Sequence, residues 1–80
     1  MGNYTIYDEG IIYDKGIISI PTAKQVIDNL VQQLTIADLP ITYKIYDEDT
    51  DTIVYSVTYR LYRDELTKED LEHEQAETSS

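Results

Sequence analysis

The stretch Ile41-Thr42-Tyr43-Lys44-Ile45-Tyr46-Asp47-Glu48-Asp49-Thr50-Asp51-Thr52-Ile53-Val54-Tyr55-Ser56-Val57-Thr58-Tyr59-Arg60-Leu61-Tyr62 decides the fold. Ile41, Tyr43 and Ile45 alternate with Thr42, Lys44 and Tyr46, and beyond the acidic run Ile53, Tyr55, Val57, Tyr59 and Leu61 alternate with Val54, Ser56, Thr58, Arg60 and Tyr62. A period of two in β-branched and aromatic residues is the mark of strands with one buried face. A turn centred near Thr50 sets Ile45 opposite Tyr55 and Tyr43 opposite Val57, so both apolar sets share one side of the hairpin. The other side then carries Tyr46, Val54 and Tyr62 among Thr, Ser, Lys and Arg.

Upstream, the period changes. Ala23, Val26, Ile27, Leu30, Val31 and Leu34 recur every three or four residues, which predicts a helix over 23–34 with one apolar stripe. Thr22 is the expected N-cap, Gln25 completes a capping box, and Pro21 stands just outside. Residues 35–40 read as a short turn, with room for one helical turn capped by Thr35, and Pro40 stops any continuation.

The first twenty residues hold a hexapeptide repeat, Tyr7-Asp8-Glu9-Gly10-Ile11-Ile12 followed by Tyr13-Asp14-Lys15-Gly16-Ile17-Ile18. Both copies look like a strand end, a turn and a strand start. The reading that leaves the longer strands puts the hairpin at Asp14-Lys15-Gly16 and makes Gly10 a bulge.

Downstream of Arg63 the composition shifts. Residues 1–63 hold nine acids and five bases, net −4, whereas residues 64–80 hold seven acids and Lys68 alone, net −6. Thr67 with Asp70 makes a capping box for a short acidic helix, and the stretch beyond about Gln75 reads as disordered. The fold class is therefore α+β: a single domain over 1–63 in ββαββ order, hairpin, helix, hairpin, with the helix on one face of a small antiparallel sheet, followed by an acidic helix or tail over 64–80.

Composition narrows the function. Sixteen acids against six bases give a net charge of −10, which disfavours direct contact with nucleic acid or an anionic membrane. There is no cysteine, so thiolate chemistry and Cys-based metal sites are excluded. Asp47, Asp49 and Asp51 have the spacing that opens a calcium loop, but Thr52 and Thr58 stand where such a loop needs glycine and glutamate. They read as a solvated hairpin turn, and no metal or cofactor is expected. His73, the one histidine, falls in the acidic tail, and no phosphate-cradling glycine loop occurs, so no enzyme is expected. The start of the chain lacks the basic and apolar regions of a secretory signal, and a cytoplasmic location is expected, the host cytoplasm if the chain is phage-encoded.

All eight aromatic residues are tyrosine. Tyr43, Tyr55 and Tyr59 belong to the core face, whereas Tyr46 and Tyr62 fall on the other, where such large, stiff, amphipathic rings serve either cross-strand packing or partner contact. With Tyr46 and Tyr62, the acids Asp47, Glu48, Asp49, Asp51, Asp64, Glu65, Glu69 and Asp70 make the candidate partner-binding set. The expected function is a non-catalytic protein-binding module that acts on a basic protein surface or by self-association as a homodimer. In composition alone the chain resembles the small acidic proteins that phages and mobile elements deploy against host restriction, CRISPR or repair enzymes. The alternative is therefore an inhibitor that imitates nucleic-acid charge and blocks a nucleic-acid-binding enzyme. A globule of this length is roughly 30 Å across, and duplex DNA of that length carries about 18 charges. Imitation thus requires the acids to gather on one side, with the tail beside the Asp47 to Asp51 turn.

Overall fold

The computed structural model describes residues 2–72. Five strands, β1 (Tyr4–Asp8), β2 (Ile11–Ile17), β3 (Ile41–Asp47), β4 (Thr52–Tyr62) and β5 (Glu65–Glu72), form one antiparallel sheet in the order β2-β1-β3-β4-β5. One helix, α1 (Ile20–Val31), connects β2 to β3 and packs on β1, β2 and β3. The architecture is α+β, with the order ββαβββ in place of ββαββ.

The central hairpin has the register read from its alternation. Tyr43 faces Val57 and Ile45 faces Tyr55. One irregularity intervenes: the next pair is Tyr46 with Ile53, so Val54 is an extra residue on β4. A bulge reverses the side taken by the residues beyond it. Val54 consequently packs against the core, and Ile53, expected in the core face, shares the opposite side with Tyr46.

The core consists of Ile6, Ile17, Ala23, Ile27, Tyr43, Ile45, Tyr55, Val57 and Tyr59. Four elements of the sheet and the helix stripe supply it, and β5 supplies nothing. Of the three buried tyrosines, Tyr43 and Tyr59 pack edge to face at 6.3 Å between centroids, with Tyr13 closing over Tyr43 at 5.3 Å, whereas Tyr55 lies beneath the Lys24 ammonium and donates its hydroxyl to Asp70.

The helix begins three residues earlier than its apolar stripe suggests. Ser19 is the N-cap, its Oγ accepting from the Thr22 N–H at 3.3 Å, and Pro21 lies inside the first turn, where its missing N–H would have had no helical partner anyway. Thr22 therefore does not cap. The single turn at Ile36–Asp38 does form, with the Thr35 N–H donating to Asp38 Oδ2 at 2.8 Å, and the Leu39–Pro40 peptide that follows is cis.

The two glycines of the repeat have exchanged roles. Asp8 pairs with Ile11, so Glu9 and Gly10, both at positive φ (49° and 84°), form a two-residue hairpin turn. Turns of this kind match the right-handed twist of the flanking strands. Gly16, at φ 73°, lies where three steps along β2 oppose two along β1. A second extra residue, Tyr13, follows between the pairs Ile6 with Asp14 and Tyr7 with Ile12.

The acidic helix expected from residue 64 is instead β5. Arg63 and Asp64, both at positive φ (52° and 66°), make a second two-residue turn, and β5 runs back along β4 in unbroken register from Tyr62 with Glu65 to Tyr55 with Glu72. The reason is physical: Leu66 and Leu71 are too thin a stripe to dock a helix, whereas the edge of β4 offers a full ladder of backbone hydrogen bonds. The region beyond Gln75, read from sequence as disordered, and His73 lie outside the described residues. No helix of the described residues is long and apolar enough to cross a membrane.

Candidate interaction surface

Three regions carry the residues singled out from sequence. At one end of the sheet, the turn between β3 and β4 holds Asp47, Glu48, Asp49 and Asp51. Asp47 Oδ1 accepts from the Asp49 N–H at 2.9 Å, and Asp51, at φ 62°, closes the loop through its own N–H to the Asp47 carbonyl at 2.8 Å. Glu48 is held from the neighbouring strand: its N–H donates to the Asn3 carbonyl and its Oε2 accepts from Thr5 Oγ1 at 2.7 Å. Among the described residues no group of three or more His, Asp or Glu side chains converges to hold a metal ion.

Tyr46 stands beside this turn on the side away from α1. It meets Tyr7 edge to face at 6.3 Å, and Lys44 lies 5.7 Å over the Tyr7 ring. Thr5, Tyr7, Gly10, Ile12, Tyr46 and Glu48 surround a shallow hollow of about 280 Å³. The apolar part played here by Tyr7 and Ile12 does not follow from the repeat read with its hairpin at Gly16. Pairing Tyr7 with Ile12 depends on a turn at Glu9-Gly10, and a two-residue connection ending in glycine was the available signal.

Tyr62 does not join Tyr46. Both point away from the helix, but Tyr62 lies nine residues along β4 from Ile53, the partner of Tyr46, or about 30 Å at strand rise. Tyr62 is exposed, with Arg63 stacked 5.4 Å over its ring. Asp64 and Glu65 share that far end.

β5 is the third region, and it connects the other two. Its side chains divide by parity: Glu65, Thr67, Glu69 and Leu71 sit opposite Tyr62, Arg60, Thr58 and Ser56 on the open side, whereas Leu66, Lys68, Asp70 and Glu72 lie on the helix side. Two carboxylates meet bases. Glu72 pairs with Lys24 of α1 at 2.6 Å, the ammonium also lying 4.5 Å over the Tyr55 ring, and Glu69 meets Arg60 at 3.4 Å. Asp70 accepts a hydrogen bond from the Tyr55 hydroxyl at 3.1 Å. The run of acids thus passes from Asp64 at one end of the sheet back toward the Asp47 to Asp51 turn at the other.

Burial tunes several ionisations. The Tyr43 hydroxyl is pushed up to about 12, first by burial and then by its neighbours Tyr13 and Asp8. The Tyr55 hydroxyl is raised by burial and by its bond to the Asp70 carboxylate, and Tyr59 is raised by burial and by Asp28. Asp8, the last residue of β1, is raised above the usual carboxylate value by burial and by Glu9, with Lys44 opposing.

Comparison with known proteins finds no family model, no curated protein and no solved structure that matches this chain.

Proposed function

We propose that this chain is a non-catalytic binding module that engages a basic protein surface through its acidic side. The observation that carries this reading is the return of β5 along β4, which strings Asp64, Glu65, Glu69 and Asp70 along one edge of the sheet, the strand running back toward the end that holds the Asp47 to Asp51 turn. Charge held on a strand is fixed in direction, so it steers and orients a cationic partner more sharply than charge on a loose tail. Self-association is the weaker form of the proposal. The joint patch of Tyr46 and Tyr62 is divided by about 30 Å, and the bulges of β2 spoil that strand as a template for a second copy.

Imitation of nucleic acid is the second reading, and the same return of β5 favours it by bringing acids to one edge of the sheet. Spacing and pairing weigh against it. Side chains on one side of a strand repeat about every 6.7 Å, half as often as the phosphates of a single DNA strand along its axis, and Lys24, Arg60 and Lys68 interrupt the run. The test is the salt dependence of binding to an affinity-captured partner, for the native chain and for the Glu65→Gln/Glu69→Gln variant. The module reading expects affinity to fall about tenfold or more between 50 and 200 mM salt and to fall again in the variant. Salt-insensitive binding that the variant leaves unchanged would overturn it. Competition by DNA or RNA for the same partner would favour imitation.

A further inference from the structure

The reading of β5 as part of an acidic binding side has a sharper form, which rests on that proposal. Among the described residues β5 is an outer strand with a neighbour on one side only, and its eight residues pair with β4 without a register shift. Natural edges are blunted by bulges, proline, brevity or charge, and β5 uses charge alone. Its hydrogen-bonding phase follows from the turn. In a two-residue hairpin the flanking pair, here Tyr62 and Glu65, exchanges both backbone hydrogen bonds, so Glu65, Thr67, Glu69 and Leu71 direct their N–H and C=O groups at β4. The N–H and C=O groups of Leu66, Lys68, Asp70 and Glu72 therefore point outward, away from the sheet.

We infer that β5 is an acceptor strand for an extended basic segment of a partner protein, which adds to the sheet as a sixth strand. Charge selects this occupant. Over Glu65–Glu72 there are four acids and one base, net −3, so a second copy pairing in antiparallel fashion would set −3 against −3 at a strand spacing of about 5 Å. A strand bearing Lys or Arg meets carboxylates on both sides of the sheet, Glu65 and Glu69 on one, Asp70 and Glu72 on the other, sharing Glu69 with Arg60 and Glu72 with Lys24. One apolar position is also provided. Leu66, 52 % exposed, sits opposite Leu61, and Leu61 continues into a shelf with Ile36, Leu39 and Pro40 that α1 does not cover. The incoming strand would carry an aliphatic residue beside Leu66 and bases beyond it. Backbone bonds supply affinity in this mode and alternate side chains supply selectivity.

Two eight-residue peptides test the inference, one alternating lysine with valine and one alternating lysine with proline. They carry equal charge, but the second cannot form the ladder. The expected result is binding of the lysine–valine peptide about tenfold tighter, with backbone amide shifts and slowed hydrogen exchange at Leu66, Lys68, Asp70 and Glu72. Lys68→Pro removes an outward N–H and a positive charge together. A surface that binds by charge alone would hold the lysine–valine peptide as well or better after this change, whereas strand addition expects about tenfold loss. Leu66→Pro repeats the test without altering charge, and the exchange pattern of the native chain reads the same contact without any variant. Equal affinity for the two peptides, or protection elsewhere in the sheet, overturns the inference. Failure of both peptides also overturns it while leaving salt-sensitive recognition of a folded basic surface intact.

Discussion

The two outer strands of this sheet solve one problem in opposite ways. β2 and β5 are each reached through a two-residue turn at positive φ, and each leaves aliphatic side chains exposed. β2 is nearly neutral and twice bulged, and it is tied to the core by Ile17 and by the stacking of Tyr13 on Tyr43. β5 is regular, acidic and without a buried residue. A bulge closes an edge to every strand, whereas charge closes it to like strands and leaves it open to opposite ones. The structural edge is β2; the selective edge is β5.

Truncation should separate them most clearly. Ile17→Ala removes a buried side chain from the core and is expected to cost about 2–4 kcal/mol. Leu71→Ala, on a side chain 59 % exposed, should fall within about 0.5 kcal/mol. Urea unfolding of both variants reads the difference. Similar losses would mean that β5 is as deeply built into the core as β2, and the contrast would fail.

Alkaline titration probes the buried phenol beneath each edge. Tyr43 lies under Tyr13 of β2, and Tyr55 donates to Asp70 of β5. The native state raises both hydroxyls, along with Tyr59, above the ordinary value of 10, so above that pH the folded chain holds protons that the unfolded chain has released. Stability is therefore full below pH 10 and declines as pH rises through the raised values, by up to about 1.4 kcal/mol per pH unit for each such tyrosine. Asp70→Asn removes the anionic acceptor and should lower the pH at which Tyr55 ionises, with Tyr43 unaffected. Tyr13→Phe should act on Tyr43 instead. Tyrosinate absorbance against pH, with the unfolding midpoint followed in parallel, distinguishes the two.

Legibility in the sequence follows the same division. The alternation over 41–62 reports the buried face, because each wrong parity would bury a polar side chain, and the register of Tyr43 and Ile45 with Val57 and Tyr55 is read from it directly. The bulge at Val54 is not readable: Ile53 and Val54 are both apolar and β-branched, so either suits the core. The hexapeptide repeat gives Gly10 and Gly16 the same local signal, and only the pairing of β1 with β3 decides which one turns the chain. For β5 the difficulty is deeper. A strand that the helix reaches only through Lys24 has no buried face to impose a period, and Leu66 and Leu71, five residues apart, fall on opposite sides. Parity also carries no distance, which is why Tyr46 and Tyr62 share a side without sharing a patch.

The smallest expected effect bears directly on the turn that creates β5. Positive φ at both central positions favours Asn-Gly, and β2's turn already has glycine at its second position, whereas β5's turn holds Arg63 and Asp64. A left-handed conformation costs an ordinary residue about 1–2 kcal/mol. Arg63→Asn with Asp64→Gly relieves part of this and gives up only the exposed contact of Arg63 with Tyr62, so a net gain of about 1 kcal/mol is expected, or roughly 4–8 °C in Tm for a domain of this size. Glu9→Asn should gain less, because Gly10 is already in place. The double variant also distinguishes strand from helix after Arg63. Glycine at position 64 favours the hairpin and disfavours a helical first turn, so a fall in Tm would mean that the acidic segment is helical and that β5 is not the edge at which a partner strand adds.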